Sequence, residues 1–251
     1  MLPNLFARQR QGGSRQIDMP YRRFFGHFRP EGPAVAPASQ PDLQRCQQRM
    51  GVPLPDSLQA FLRVQNGGYF NGGLIHICGA CRPLRHDDLY TWNQAHDWKS
   101  AFAGYGLENY IFFADDIYGN LFGFEKGPVE PAVIRFDIHF GEYTEMAPSI
   151  ATFLDELLVD EGGWLLGGDF LQSFRDSGSA IAVGKHLSLV IPSLLGGSME
   201  AENLCQMDPP TNLYLAGQVL TQVKPLPPGT EVRGFRFDPR TLTLKFEAIG
   251  T

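Results

Sequence analysis

The sequence reads as an α+β chain, with short capped helices interleaved with hairpin-linked strands, and three observations carry that reading. The first is Leu54–Gly68. Pro55, Asp56 and Ser57 sit where a missing N–H is harmless and side-chain oxygens cap. Leu58, Phe61 and Leu62 form an i, i+3, i+4 apolar stripe, and Asn66-Gly67-Gly68 supplies residues that reach left-handed dihedrals at low cost. The second is the pair of apolar runs Tyr110–Ala114 and Leu121–Phe124, joined by the turn sequence Asp115-Asp-Ile-Tyr-Gly-Asn120. The third is Pro148–Leu158, an amphipathic helix with Ile150, Phe153, Leu154 and Leu157 on one face.

The other elements follow in chain order. Residues 1–20 are polar and read as a loose arm, and Phe24, Phe25 and Phe28 mark the first contact with a core. Four prolines in residues 30–41 make a loop. Pro41-Asp42 opens a helix that ends by Met50-Gly51, and Leu74–Cys78 is a short strand. Residues 87–103 read as one helix with Leu89, Trp92 and Trp98 inward. Ala132–Phe136 and Tyr143–Met146 continue the strands. Beyond residue 162 the texture changes to a Gly- and Pro-rich, β-rich extension. It holds an apolar run at Leu187–Ile191, an ambiguous stretch at Asn203–Met207 and a helix at Thr211–Val223 with Leu215, Val219 and Leu220 inward. A hairpin closes it, from Phe235–Phe237 and Leu242–Phe246 about Asp238-Pro-Arg-Thr. Residues 1–40, 41–161 and 162–251 are therefore an arm, a main domain and an extension. The extension is expected to pack on the main domain, because so Gly- and Pro-rich a segment makes a poor core alone.

Composition sets bounds. The chain has 251 residues, 43% of them hydrophobic, and its apolar runs fall far short of a membrane span. No apolar segment follows the N-terminal arginines, so a soluble cytoplasmic protein is expected. The net charge of −6 is uneven: residues 1–50 carry eight Arg against three acids, while the other residues carry 13 Lys+Arg against 24 Asp+Glu, a body of −11. Such a body disfavours nucleic acid and suits a basic protein partner, although an acidic balance also serves solubility alone.

Candidate chemistry is sparse. Cys78 and Cys81, with His76 and His86 nearby, outline a possible zinc set, but all four lie within eleven residues and no second pair follows. Two inert buried cysteines are the simpler reading, so no metal and no cofactor are expected. Asp115 and Asp116 suit acid–base or cation chemistry, or ordinary hairpin bonding to the local backbone. Asp87 and Asp88 suit a helix start. No Walker loop, GxSxG, GxGxxG or HExxH occurs. An enzyme is not expected.

Leu54-Pro-x-Ser, Phe61-Leu62 and Asn66-Gly67-Gly68 together resemble the helix signature of the SUKH superfamily. Ile111–Phe124 resembles the central hairpin of that group, Ala132–Asp137 its next strand and Ile150–Leu158 its closing helix, in the usual order over about residues 40–160. Segments near Pro192–Gly197, Glu202–Leu204 and Gly217–Gly229 look like the extension of longer bacterial members. The resemblance implies a mostly antiparallel sheet packed by helices. It also implies binding rather than catalysis. Bacterial members commonly neutralise toxins, many of them nucleases, delivered by polymorphic, contact-dependent or type VI systems, and a fungal member regulates glucan synthesis and killer-toxin resistance. On this reading the chain is an immunity protein that occludes a basic cognate toxin. Asp115, Asp116, Tyr118 and Asn120 at the hairpin are the partner-binding candidates, followed by Asp87 and Asp88. The alternatives are a regulatory interaction module and an uncharacterised enzyme.

Overall fold

The structure is a computed structural model that describes residues 20–32, 34–84, 86–94, 98–127, 130–167, 171, 174, 180–198, 200–238, 241 and 243–249. The arm expected over 1–20 lies outside the described residues, save Pro20.

Seven strands form one sheet whose spatial order is their chain order. They are β1 (Pro30–Glu31), β2 (Gly68–Phe70), β3 (Ile75–Ile77), β4 (Tyr110–Asp116), β5 (Leu121–Glu125), β6 (Val133–Asp137) and β7 (Glu142–Ala147). Every neighbouring pair is antiparallel. The fold is therefore α+β with a mostly antiparallel sheet. Two small hairpin sheets lie in the C-terminal region: β8 (His186–Leu189) with β9 (Leu204–Met207), and β10 (Glu231–Asp238) with β11 (Thr243–Ile249).

Helices cover the sheet. Helix α1 (Arg22–His27) brings in Phe24, whose ring meets Phe61 at 5.4 Å and Phe70 at 5.1 Å, both edge-on, so the Phe24–Phe28 segment does enter the core. Helix α2 (Gln40–Met50) starts in a capping box, in which Ser39 accepts from the Asp42 N–H and Asp42 accepts from the Ser39 N–H. Helix α3 (Asp56–Leu62) buries Leu58, Phe61 and Leu62 as the stripe requires. Its ends differ from expectation. Its N-cap residue, Pro55, offers no side-chain bond; instead Glu130, distant in sequence, accepts from the Ser57 N–H at 3.0 Å and from the Ser57 hydroxyl at 2.8 Å. The helix stops at Leu62, and Asn66-Gly67 serves a different purpose. The Asn66 side chain is buried and brackets the Ala80 backbone, donating to its C=O at 3.0 Å and accepting from its N–H at 2.7 Å. Gly67, at φ 70°, passes so close to the chain that a Cβ there would lie 2.5 Å from the Ile77 carbonyl oxygen.

The single helix expected over 87–103 is instead a short helix α4 (Leu89–Trp92) and a 3-10 helix, Trp98–Phe102. Asn93 explains the break after α4. Its side chain accepts from the Phe112 N–H and donates to the Phe112 C=O, both at 2.8 Å, so the chain is tied to β4 rather than wound onward. Further on, α5 (Ile150–Thr152) and α6 (Leu158–Leu165) are joined by a widened π turn, Phe153–Leu157. Phe153 from this turn packs on Phe122 (4.9 Å) and Phe113 (6.0 Å).

Another aromatic group comprises Trp98, Phe102, Phe112 and Phe136, with ring centroids 5.5–6.5 Å apart. Helix α7 (Pro209–Val223) is seated on the 3-10 helix Trp98–Phe102 with its backbone, since a Cβ at Gly217 would lie 2.8 Å from Ala101. Leu213 and Leu220 enter the main core; Leu215 does not, and lines a pocket instead.

Candidate functional site

The six acidic, aromatic and amide side chains that the sequence places at a partner surface are all inside, with none more than 7% exposed. They are therefore buried rather than presented at a surface, and each burial has a physical reason. Asp116 ends β4 and closes the turn. One of its oxygens accepts the N–H groups of Tyr118 and Asn120, each at 2.9 Å, and the other accepts the Asn120 amide at 2.8 Å. Burial nevertheless pushes its carboxyl up to about 6. Asn120 is thereby a strut of the turn. Tyr118 packs with Ile117 and Leu187 and reaches the Gly167 C=O. Asp88 caps α4 through the Thr91 N–H (3.2 Å) and also accepts the Thr91 hydroxyl (2.6 Å) and the Arg82 N–H (3.2 Å).

Asp115 and Asp87 belong to a buried polar chain. His76 projects from β3 with Nδ1 3.4 Å from Asp115 and Nε2 3.6 Å from Asp87. Asp87 also accepts the Tyr69 hydroxyl at 3.3 Å and lies 3.6 Å from Arg82 and 3.3 Å from His86 Nε2. On the other side of Asp115, His186 from β8 places Nε2 3.6 Å away. Helix α7 completes the line. The Asn212 amide donates to the Tyr118 C=O at 3.1 Å and contacts His186 Nδ1 at 3.2 Å. The Tyr118 carbonyl fixes which way the Asn212 amide points. Nδ1 of His186 must then accept, which leaves the imidazole proton on Nε2, facing Asp115. Burial works against the Asp115 carboxylate, but His76 and His186 outweigh it and hold its pKa down at about 2.

His186 and Asn212 were not among the sequence candidates, and His76 was considered only as a member of the zinc set. The signal for His76 was a polar residue in the otherwise apolar strand Leu74–Cys78. Nothing local marks His186 or Asn212, because their partners lie 71 and 94 residues away.

The drawn zinc set does not converge. Cys78 Sγ faces the His86 carbonyl at 3.8 Å and Cys81 Sγ faces the Asp42 carbonyl at 3.4 Å. Burial pushes the Cys78 thiol well up, toward the neutral form. Among the described residues no three His, Cys, Asp or Glu side chains form a metal-holding group.

A pocket of about 470 Å³ lies beside this polar line, between β8–β9 and α7. Leu189, Met207, Leu215 and Val219 line it, with His139 and Asn212 among its few polar walls. Val190 and Ile191 stand exposed at its side.

Residues 37–156 match the model of the SMI1 / KNR4 family (SUKH-1). That stretch is a SUKH-1 domain. It spans α2 to the π turn, and so includes β2–β7 but neither His186 nor Asn212. A solved structure, Atu4351 from Agrobacterium tumefaciens, shares the fold at a TM-score of 0.51 over 92% of this chain and 98% of that chain, with 14% identity. Comparison with curated proteins finds no match. The central strand of the SUKH-1 domain, β4, thus ends in a carboxylate whose far-side partners come from outside the matched domain. Among the described residues no helix is long and apolar enough to cross a membrane.

Proposed function

We propose that this chain is an immunity protein that binds a cognate secreted bacterial toxin in the cytoplasm and occludes it. The observation that carries the reading is the SUKH-1 domain at residues 37–156, since that family includes immunity proteins. The charge supports it: within those residues eight Lys+Arg stand against fifteen Asp+Glu, a net −7 that favours a basic partner such as a nuclease. The commitment of Asp88, Asp115 and Asp116 to caps, imidazoles and turn backbone also favours a binding role over a catalytic one. The test is co-expression with the toxin candidate encoded beside this gene, scored by growth rescue, together with capture of that toxin by the purified chain. Failure of both rescue and capture would overturn the proposal.

A non-enzymatic regulatory module is the second reading. The pocket beside β8–β9 and the exposed Val190 and Ile191 favour it, because such a surface suits a further partner.

A further inference from the structure

The sheet has two edges, and they are unlike. Strand β1 has two residues, too short to template another strand. Strand β7 has six, Glu142–Ala147, and the first four are exposed. Its N–H and C=O groups pair with β6 on one side only, so alternate residues aim donors and acceptors outward, and no described element covers them. Beside this open edge stand Tyr143, 37% exposed and stacked on Tyr110 at 5.0 Å, and Phe140, 44% exposed.

Glutamates on an edge strand are a common defence against unwanted pairing, and alone they indicate nothing more. The exposed aromatics run against a purely defensive edge, because they add contact area where a guarded edge needs none. The charge pattern also selects among partners. Two copies of β7 pairing about its centre would set Glu145 opposite Thr144 and diagonal to the other copy's Glu142, twice, a like-charge arrangement that disfavours self-association. The strand itself carries no cation. Around it, Arg135 is paired with Asp137, Lys126 binds the Glu108 carbonyl and Lys224 binds the Phe140 carbonyl.

We propose that β7 is the docking edge for an extended, lysine- or arginine-bearing segment of a protein partner, which adds as an eighth strand over Glu142–Glu145, the regularly paired part of β7, with one cation on Glu142 on one face and, on the other face, an apolar side chain on Tyr143 next to a second cation on Glu145. This deepens the immunity reading by naming the surface, and it rests on that reading for the partner's identity.

The test uses the full chain and a labelled dodecapeptide of three Lys-Val-Val-Lys repeats, whose lysines, three apart, reach both faces of the added strand. Two control peptides accompany it: one with Glu in place of Lys, and one of the same charge interrupted by two prolines. The Lys/Val peptide binds, weakens at least tenfold between 50 and 300 mM salt on the order expected for screened ion pairs, and slows amide exchange in residues 142–147. The Glu peptide and the proline-interrupted peptide bind at least tenfold more weakly. The exposed double variant Glu142→Lys/Glu145→Lys, with an unchanged circular dichroism spectrum, loses the Lys/Val peptide and gains the Glu peptide. Equal binding of the proline-interrupted peptide, or binding without protection of 142–147, would reduce the effect to general charge attraction and overturn the proposal, as would no binding at all. Toxin rescue that survives the double variant would move the toxin site elsewhere. Absence of rescue by the unaltered chain would instead count against the immunity reading.

Discussion

Replacing Asn212 with Leu tests whether the C-terminal region is bolted to the SUKH-1 sheet through the buried polar line. The Asn212 amide serves two buried acceptors, the Tyr118 carbonyl at 3.1 Å and His186 Nδ1 at 3.2 Å. Leucine has a similar volume and leaves little cavity, so the loss is mainly that of two donors. Each stranded acceptor costs about 1–3 kcal/mol, which gives a destabilisation of about 2–6 kcal/mol. Urea unfolding followed by tryptophan fluorescence reads this directly, since Trp92 and Trp98 are buried in the main core. The midpoint falls, and the slope is unchanged if the chain still unfolds as a unit. Asn212→Asp gives a signed control. Its carboxylate faces the Tyr118 carbonyl and cannot donate to Nδ1, so the variant is weak at pH 8. A change below about 0.5 kcal/mol for Asn212→Leu, smaller than one ordinary buried hydrogen bond, would refute the reasoning, as would an Asn212→Asp variant as stable as the unaltered chain at pH 8.

Other outcomes follow from single side chains. Asn66→Ala strands the buried N–H and C=O of Ala80 and is expected to cost about 2–5 kcal/mol in the same urea assay. Lys99 is buried with its ammonium on the carbonyls of Leu107 and Tyr110, and burial lowers its pKa to about 7. The unfolded chain therefore holds more protons than the fold above pH 7, so stability rises with pH, by about 1.5 kcal/mol between pH 7 and 8.5; Lys99→Met flattens that slope. Asp115 titrates at about 2 in the fold against 3.8 when free, so its contribution is present above pH 3.8 and lost as pH falls through 2. Asp115→Asn is expected to cost about 2.5 kcal/mol at neutral pH and to converge on the unaltered chain in strong acid, as read by chemical unfolding across pH.

Strands β3 to β7 were legible because each pairs with its chain neighbour, so local alternation and turn chemistry carried most of the information, whereas β1 and β2 fall in stretches that read as a proline-rich loop and a glycine turn. Tyr110–Ala114 and Leu121–Phe124 fall within β4 and β5, and the closing helix begins where its stripe places it. The helix expected over 87–103 failed because Asn93 gives its hydrogen bonds to Phe112, a contact 19 residues away that no local pattern encodes. The hairpin was read with the right chemistry and the wrong exposure. Asp116 and Asn120 do bond the turn backbone, but a polar hairpin looks like surface until Leu187, His186 and Asn212 arrive to bury it. The helix signature at 54–68 identified the scaffold, while the use of Asn66 as a clamp on Ala80 required knowing that residues 66 and 80 touch.

The plain serial order of the seven strands bears on how the chain is born. Strands β4 to β7 pair at separations of at most 15 residues, so this half of the sheet assembles from short-range contacts that close quickly. The imidazole and amide that complete its polar interior leave the ribosome only 71 and 97 residues after Asp115. Until then Asp116 has its own turn and Asp115 has His76, but the far side of β4's end has no cover. The last third of the chain supplies that cover, so the SUKH-1 sheet can be complete in strand order before its central strand end is closed.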